Sequence, residues 1–394
     1  MTRVHGIEVT DASAGAGIRA LIDWESPGTE TDELIYTYPA VPSASIVAPG
    51  DVVLAAALFP ALRVGTPLVV EEPVSARLLA GARAIVDICS GWERSFHRIP
   101  IDAPVVDRSD DGGDKVGLLF SCGVDSFYSL LRTRADADAI STLVTIHGYD
   151  MKLADREGFA LVRDRVQRVA AELDKEVLFV ETNLGEIGGK FVSSAYLQGG
   201  QLASCALGFG SHLRRCYEAS SAAYRHMAPW GSHPFIDPLW STESLELVHD
   251  GAELARHEKV YEIASSGLAL ETLRVCNYEL ENCRRCSTCL VTMLALHVAG
   301  ALKDCPTLGP DLPMEALEKW DVNYLFLDIL AELVEDITDP NVKWEVERAH
   351  RRAKRRKRFV HPAADLLKNT GLRRRSIDVS PLWRRTDTDA RRRD

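Results

Sequence analysis

Nowhere in the 394 residues do apolar side chains continue for the ~18 positions a membrane helix requires, and the start, Met1-Thr2-Arg3-Val4-His5, carries no apolar leader. Both absences point to the cytoplasm and away from a membrane. A disulfide scaffold is missing too. The nine cysteines are odd in number, four of them crowd into Cys276–Cys289 and the rest are scattered. That pattern suits a reducing compartment and one local metal site. The first hundred or so residues hold no nucleophile elbow and no P-loop lysine, and Thr2 rather than cysteine follows Met1. A glutaminase of the N-terminal-nucleophile kind would need a cysteine there, so none is expected.

What is present is the balance of a soluble enzyme, with 46% hydrophobic and 26% charged residues. The length accommodates two or three domains. Charge is uneven. Arg348–Asp394 holds 17 Lys and Arg against 5 acidic residues, so the rest of the chain carries −23 of a net −11.

Residues 1–106 predict an α+β domain. Strand-like runs stand at Gly6–Thr10, Ile18–Trp24, Leu34–Tyr38 and Leu68–Glu71, and helical periodicity at Asp51–Leu62 and Ser75–Cys89, with Asp51 and Ser75 as N-caps. A packing or substrate-gating role fits it best. The polar segment Asp107–Asp114 reads as a linker. Strands and helices then alternate: Val116–Phe120, helix Phe127–Arg134, Thr142–His147, helix Arg156–Leu173, Val177–Glu181, helix Gln201–Gly210, Cys216–Ala219 and helix Gly251–Ser265. This alternation predicts an α/β domain over 115–305, a parallel sheet flanked by helices. Residues 306–394 predict a helical, basic extension.

The first chemical signal is Ser121-Cys122-Gly123-Val124-Asp125-Ser126, between an apolar strand and a helix. Such a turn offers backbone N–H groups and a helix N-terminus to an anion. Gly123 lets the backbone approach phosphate, the hydroxyls of Ser121 and Ser126 can donate to it, and Asp125 can order the loop or hold Mg²⁺. The plainer alternative is an ordinary N-cap. The segment resembles the SGGxDS signature of the PP-loop, or N-type ATP pyrophosphatase, superfamily, with Cys122 where the second glycine usually stands. The resemblance implies ATP held by Ser121, Cys122, Gly123, Val124, Asp125 and Ser126 and cleaved between its α and β phosphates. It also places adenine at the end of the second strand, near Thr145, Ile146, His147 and Gly148.

The second signal is Cys276, Cys283, Cys286 and Cys289, spaced C-x6-C-x2-C-x2-C. Four thiolates satisfy tetrahedral Zn²⁺ and leave no open position, so the zinc reads as structural; an iron–sulfur cluster and free thiols are the rival readings. The loop and this cluster together resemble the 7-cyano-7-deazaguanine synthase family over about Val116–Ala301, whereas the two end regions lie outside the small form of that enzyme.

Further candidates are Ser220 and Ser221 at a strand end, where open α/β sheets bind ligands, and His233, Asp237 and Glu243 in the aromatic, polar stretch 230–243, where a packed surface loop is the bland alternative. Gly199-Gly200-Gln201 reads as a turn before a helix. Lys190, Lys259 and Arg274 are cations that could offset charge on departing pyrophosphate; with Asp125, Lys190 and Lys259 are the catalytic candidates. The expected activity is that of a C–N-forming ligase. A substrate carbonyl or carboxylate oxygen is adenylated, pyrophosphate leaves, and a nitrogen nucleophile displaces AMP. ATP, Mg²⁺, Zn²⁺ and a small-molecule substrate follow from it. A sulfur transferase using Cys122, Cys205 or Cys216 is the alternative, and a non-catalytic nucleotide or RNA binder is a third. The basic runs His350–Arg358 and Arg373–Arg375 keep tRNA open as a partner without favouring it, and a homodimer stays open.

Overall fold

The computed structural model describes residues 1–12, 15–25, 31–107, 109 and 112–369, the last twelve as backbone alone. Arg108, Asp110 and Asp111 of the linker and the basic run Arg373–Arg375 lie outside the described residues. Two compact units are formed, Met1–Leu254 and Ala255–Asp394.

The first unit opens with a meander, β1 (Thr2–Ala12), β2 (Gly15–Asp23) and β3 (Asp32–Pro39). There follow α1 (Pro49–Val64), β4 (Leu68–Val70), β5 (Val74–Ser75), α2 (Ala76–Trp92), β6 (Ile101–Asp102) and β7 (Val105–Val106). Pro49 in the first turn and the left-handed Gly65 at the end delimit α1. Its residues from Gly50 to Leu62 are all buried, as befits a helix apolar on every side. Ser75 caps α2 as expected, accepting from the Leu78 N–H at 3.0 Å. Asp51 does not cap α1. Ala48 holds that position, and the fully buried Asp51 carboxylate accepts from the Ser75 N–H at 2.7 Å, tying the starts of the two helices together.

After the linker come β8 (Lys115–Leu119), α3 (Val124–Leu131), β9 (Thr142–His147), α4 (Arg156–Glu172), β10 (Glu176–Thr182), α5 (Leu184–Gly188), α6 (Ser194–Leu207), β11 (Leu213–Ala219) and β12 (Glu246–Asp250). Ten strands form one mostly parallel sheet in the order β12-β11-β8-β9-β10-β3-β2-β1-β4-β6. The five strands from β8 onward are parallel, with two on each side of β8. The chain goes from β8 to β9 and β10, then crosses back to β11 and β12, so the strand order reverses at β8. Helices cover both faces. Phe127 of α3 packs edge-on to Phe120, and Phe159 of α4 packs against Phe179, on one face; α1 and α6 join the apolar core on the other.

The N-terminal region does not keep a sheet of its own. β3 pairs antiparallel with β10 through Thr37–Glu181 and Tyr36–Thr182. Asn183 then extends that ladder with its side chain, accepting from the Ile35 N–H at 2.9 Å and donating to the Glu33 carbonyl at 2.8 Å. Composition could not show this join, because the two strands lie about 145 residues apart and each reads as an ordinary half-buried strand.

The second unit is helical: α7 (Arg256–Ile263), α8 (Gly267–Thr272), α9 (Ser287–Val298), α10 (Met314–Glu318), α11 (Leu327–Asp336) and α12 (Pro340–Asn369). The four-cysteine loop precedes α9 and belongs here, so the compact units divide the chain elsewhere than at the compositional boundaries 106 and 305. No helix among the described residues is long and apolar enough to cross a membrane.

Gly148 ends β9 with φ +99°, and a Cβ there would stand 1.8 Å from the Thr182 carbonyl oxygen. Gly148→Ala is expected to cost about 3 kcal/mol or more, through backbone strain and a clash with backbone rather than with a yielding side chain. Gly267→Ala, at a position with nothing within 4 Å, is expected to change stability by about 1 kcal/mol at most. Urea midpoints of the two variants make the comparison.

Candidate functional site

The turn after β8 is fixed from below. The Phe120 N–H donates to the Val144 carbonyl at 2.8 Å, and the Thr145 hydroxyl donates to the Phe120 carbonyl at 2.9 Å. Cys122 then takes φ +58°, the left-handed region. A side chain there costs about 1 kcal/mol relative to glycine, so the backbone demands at this position what a glycine gives freely. Gly123 is the N-cap of α3, and no side chain caps the helix. The buried Ser126 hydroxyl donates to the Gly123 carbonyl at 3.1 Å and receives the Ser121 N–H at 3.5 Å. Ser126 therefore braces the turn from inside, while Ser121 is exposed and Asp125 half-buried. The helix is anchored at its far end. Tyr128 donates to Glu253 at 2.6 Å, and Arg134 pairs with Asp250 and covers the Tyr217 ring at 4.5 Å.

His147 lies fully buried at the end of β9. Its ring stacks on Phe159 at 4.1 Å with 3° between planes, and Nε2 is 3.0 Å from the Lys152 carbonyl oxygen. Glu181 stands 3.5 Å from Nδ1. These contacts make His147 the brace of the loop after β9. The Gly148 carbonyl accepts from the buried Gln201 Nε2 at 3.0 Å. Gly199 and Gly200 lie within α6, not in a turn before it. A Cβ on Gly199 would meet the Gly231 carbonyl oxygen at 1.8 Å, and one on Gly200 the Ala55 carbonyl oxygen at 2.6 Å. The glycines serve close packing, which in sequence looks the same as a flexible turn.

Ser220 is buried at the end of β11. It takes the Asp250 carbonyl through its N–H at 2.8 Å and donates its hydroxyl to Ala222 at 2.7 Å. Ser221 beside it is exposed. Asp237 is fully buried in a short turn, Asp237–Trp240. Its Oδ1 accepts from the His233 N–H at 3.0 Å, and its Oδ2 from the Ser232 hydroxyl at 2.9 Å. His249 Nδ1 stands 2.5 Å from the same Oδ2. Burial pushes the Asp237 carboxyl up to about 7, against the pull of these hydrogen bonds. Glu218, on β11 directly beside His249 of β12, is 4% exposed and held well above the ordinary carboxyl range by burial and then by Asp237. His233 is sequestered. Its ring packs edge-on to Trp92 at 4.9 Å, Nδ1 accepts from the Phe235 N–H, and burial lowers its proton affinity. Glu243 caps α2 instead of facing this cluster, accepting from the Arg77 N–H at 2.9 Å, and its carboxyl sits below the usual range.

Lys190 pairs with Asp32 at the start of β3, three strands from β8. Lys259 on α7 and Arg274 belong to the second unit. Lys259 is 1% exposed there. Cys205 and Cys216 are completely buried, and burial raises both thiols well above their ordinary value. Among the tail arginines, Arg352 donates to the Glu318 and Trp320 carbonyls, and Arg356 donates to the Val322 carbonyl and pairs with Asp321.

In the second unit the sulfurs of Cys276, Cys283, Cys286 and Cys289 all lie within 4.8 Å of one another. The buried Asn282 shapes the loop. Its Oδ1 accepts from the Val275 and Cys276 N–H groups, and its Nδ2 donates to the Leu273 and Thr307 carbonyls. Arg284 supplies the tight turn with φ +59°. Backbone N–H groups point at sulfur, Glu279 to Cys276 at 3.4 Å and Cys286 to Cys283 at 3.3 Å. Cys283 and Cys289 Sγ are 3.9 Å apart, close to the ~3.8 Å edge of a tetrahedron with ~2.3 Å metal–sulfur bonds and far from a ~2.05 Å disulfide. The other three sulfurs push the Cys276 thiol strongly toward thiolate. The four can hold a metal ion, and no other set of three or more His, Cys, Asp or Glu side chains among the described residues can.

Sequence reasoning passed over Glu218 and His249. The signal was a carboxylate in Cys216-Tyr217-Glu218-Ala219, a strand that is otherwise apolar at a level where both faces are covered. No family model matches this chain, and comparison with curated proteins and with solved structures gave no match either.

Asp237 binds a proton in the folded chain that it has lost when unfolded. Its contribution is complete below about pH 4 and disappears as pH rises to about 7. Stability is therefore expected to fall across that window, by on the order of 4 kcal/mol at most. Asp237→Asn should flatten the slope when urea midpoints are followed against pH; a slope the variant leaves unchanged would assign it elsewhere.

Proposed function

We propose that the first unit is an ATP-dependent ligase of the PP-loop kind, adenylating a carbonyl or carboxylate oxygen of a small substrate with loss of pyrophosphate. The observation that carries this is the turn Ser121–Ser126. A left-handed residue and an uncapped helix N-terminus meet at the carboxyl end of β8, where the strand order reverses and open α/β sheets bind ligands. Exposed Ser121 and the first N–H groups of α3 bind the outer phosphates, Ser126 keeps the turn in shape, and Asp125 orders the loop or holds Mg²⁺. The chain's contribution is positioning and charge stabilisation. The left-handed backbone at Cys122 supports the resemblance to a signature whose second position is glycine. Glu218, Asp237 and Ser220 line the strand ends on the substrate side.

Thiolation is the weaker reading. Cys122, Cys205 and Cys216 are each 1% exposed or less, and a sulfur carrier needs an accessible thiolate. The metal we infer is zinc, since four thiolates with no open position suit a structural Zn²⁺. Its binding stabilises the loop by on the order of 10 kcal/mol, as in small zinc peptides.

Pyrophosphate release and MgATP binding test the ligase reading. An Asp125→Ala, Ser126→Ala double variant should lose at least ~100-fold of pyrophosphate release, whereas Cys122→Gly should keep it, because glycine adopts the same turn without strain. Full loss on Cys122→Gly would favour the sulfur chemistry. Purified chain is expected to contain one zinc per molecule by elemental mass spectrometry. Cys289→Ser should lose that zinc and become protease-sensitive within the second unit, and a metal-free parent with unchanged protease resistance would refute the structural role.

A further inference from the structure

Glu218 is 4% exposed, and its Oε1 makes no hydrogen bond. An orphaned buried carboxylate oxygen costs about 1–3 kcal/mol or more, so the fold retains it against stability. Its position is specific. Tyr217 pairs with Leu118 of β8, which sets Glu218 level with Leu119, two residues before Ser121. Tyr149 stands just past the end of β9, on the other side of β8, and Glu218 acts electrostatically on its hydroxyl. Glu218 thus stands on the strand next to β8, level with its last residue and two residues short of Ser121. Behind it Asp237, Ser232 and His249 form a hydrogen-bonded group. Gly199 lets the Gly231–Ser232 backbone close down on α6.

The titratable and charged groups facing Glu218 are Asp237 from the 231–240 turn, His249 from β12, Tyr149 from beyond β9 and Cys216 from its own strand. No lysine or arginine is among the groups that shift it. Two carboxyls with one imidazole suit a small cation that donates hydrogen bonds. The same residues are not a divalent-metal set, since the cysteines are the one such group among the described residues.

We propose that Glu218 Oε1 receives the nitrogen nucleophile, as ammonium or a primary ammonium group, and takes one of its protons. This rests on the adenylating reading above. The step is balanced: one N–H bond of the cation breaks, an O–H bond forms on Glu218, and the nitrogen keeps the electron pair. That pair forms the C–N bond at the adenylated carbon as the C–O bond to AMP breaks with its electrons on the phosphate oxygen. The nitrogen's surplus proton goes to the departing phosphate. The step starts from the carboxylate form of Glu218, and burial then favours the neutral carboxyl that the transferred proton creates.

The test is thermal melting of the full chain in ammonium, methylammonium, potassium and sodium chlorides at equal ionic strength, with and without MgATP. Ammonium and methylammonium should raise Tm above the sodium value and potassium should not, because it is of similar size but donates no hydrogen bonds. Glu218→Gln should weaken the ammonium midpoint at least tenfold and keep the MgATP shift. Should Glu218→Gln fail to fold, Glu218→Met also removes the carboxyl and serves in its place. A potassium response equal to that of ammonium, an ammonium response that survives in the variant, or none in the parent chain would each overturn the proposal. If MgATP fails to shift the parent chain, the adenylating reading falls, and the nucleophile role with it, whatever ammonium does.

Discussion

The reversal of strand order at β8 is the constraint from which the rest of the first unit follows. With β9 and β10 laid down on one side and β11 and β12 on the other, the connections leaving β8 and β11 must diverge to opposite faces. Open α/β sheets leave a crevice outside the carboxyl ends of the strands where such connections diverge. Left-handed Cys122 and Gly148 follow the ends of β8 and β9, and Gly199 of α6 has no room for a Cβ against Gly231. Each is a place where chain must turn sharply or approach closely so that the crevice keeps its walls.

Those walls are costly. A left-handed cysteine, an orphaned carboxylate oxygen and a buried acid held near neutrality each work against stability by about 1 kcal/mol or more. The compensation is visible next to them. Thr145 fixes the carbonyl of Phe120, Ser126 closes the turn on itself, and the Glu253 and Asp250 contacts with Tyr128 and Arg134 lock α3 from its far end. The N-terminal region adds to this. It joins the sheet through β3 and Asn183 and lays α1 against α6, so the helix that carries Gly199 and Gln201 is held on both sides. A region that reads as an accessory domain is part of the scaffold that holds the crevice.

The sequence made the local units legible and hid the long-range ones. The strand–turn–helix at 116–134, the strand Thr142–His147 and the four-cysteine loop were readable, because apolar runs, turn residues and CxxC spacing are local signals. The fusion of β3 to β10 was not, since pairing between distant strands leaves no mark in either. Glycines misled in one case: Gly199 and Gly200 stand in a helix because backbone from elsewhere passes against them. Charged residues misled in others. Glu243 is a helix cap and Lys190 an ion-pair partner of Asp32, roles that depend on neighbours 166 and 158 residues away.

Burial separates the remaining polar residues more sharply than type does. His147 and His233 are both near the crevice, yet each has its ring faces covered and a nitrogen engaged with backbone. An imidazole so held cannot exchange protons with a substrate, whatever its ordinary affinity. Glu218 has the reverse condition. It is as buried as they are, but one oxygen is left without a partner, and burial and Asp237 raise its hold on a proton more than Ser232 and His249 lower it. Glu243 also keeps a partnerless oxygen while its other one caps α2, so what sets Glu218 apart is its level beside the end of β8.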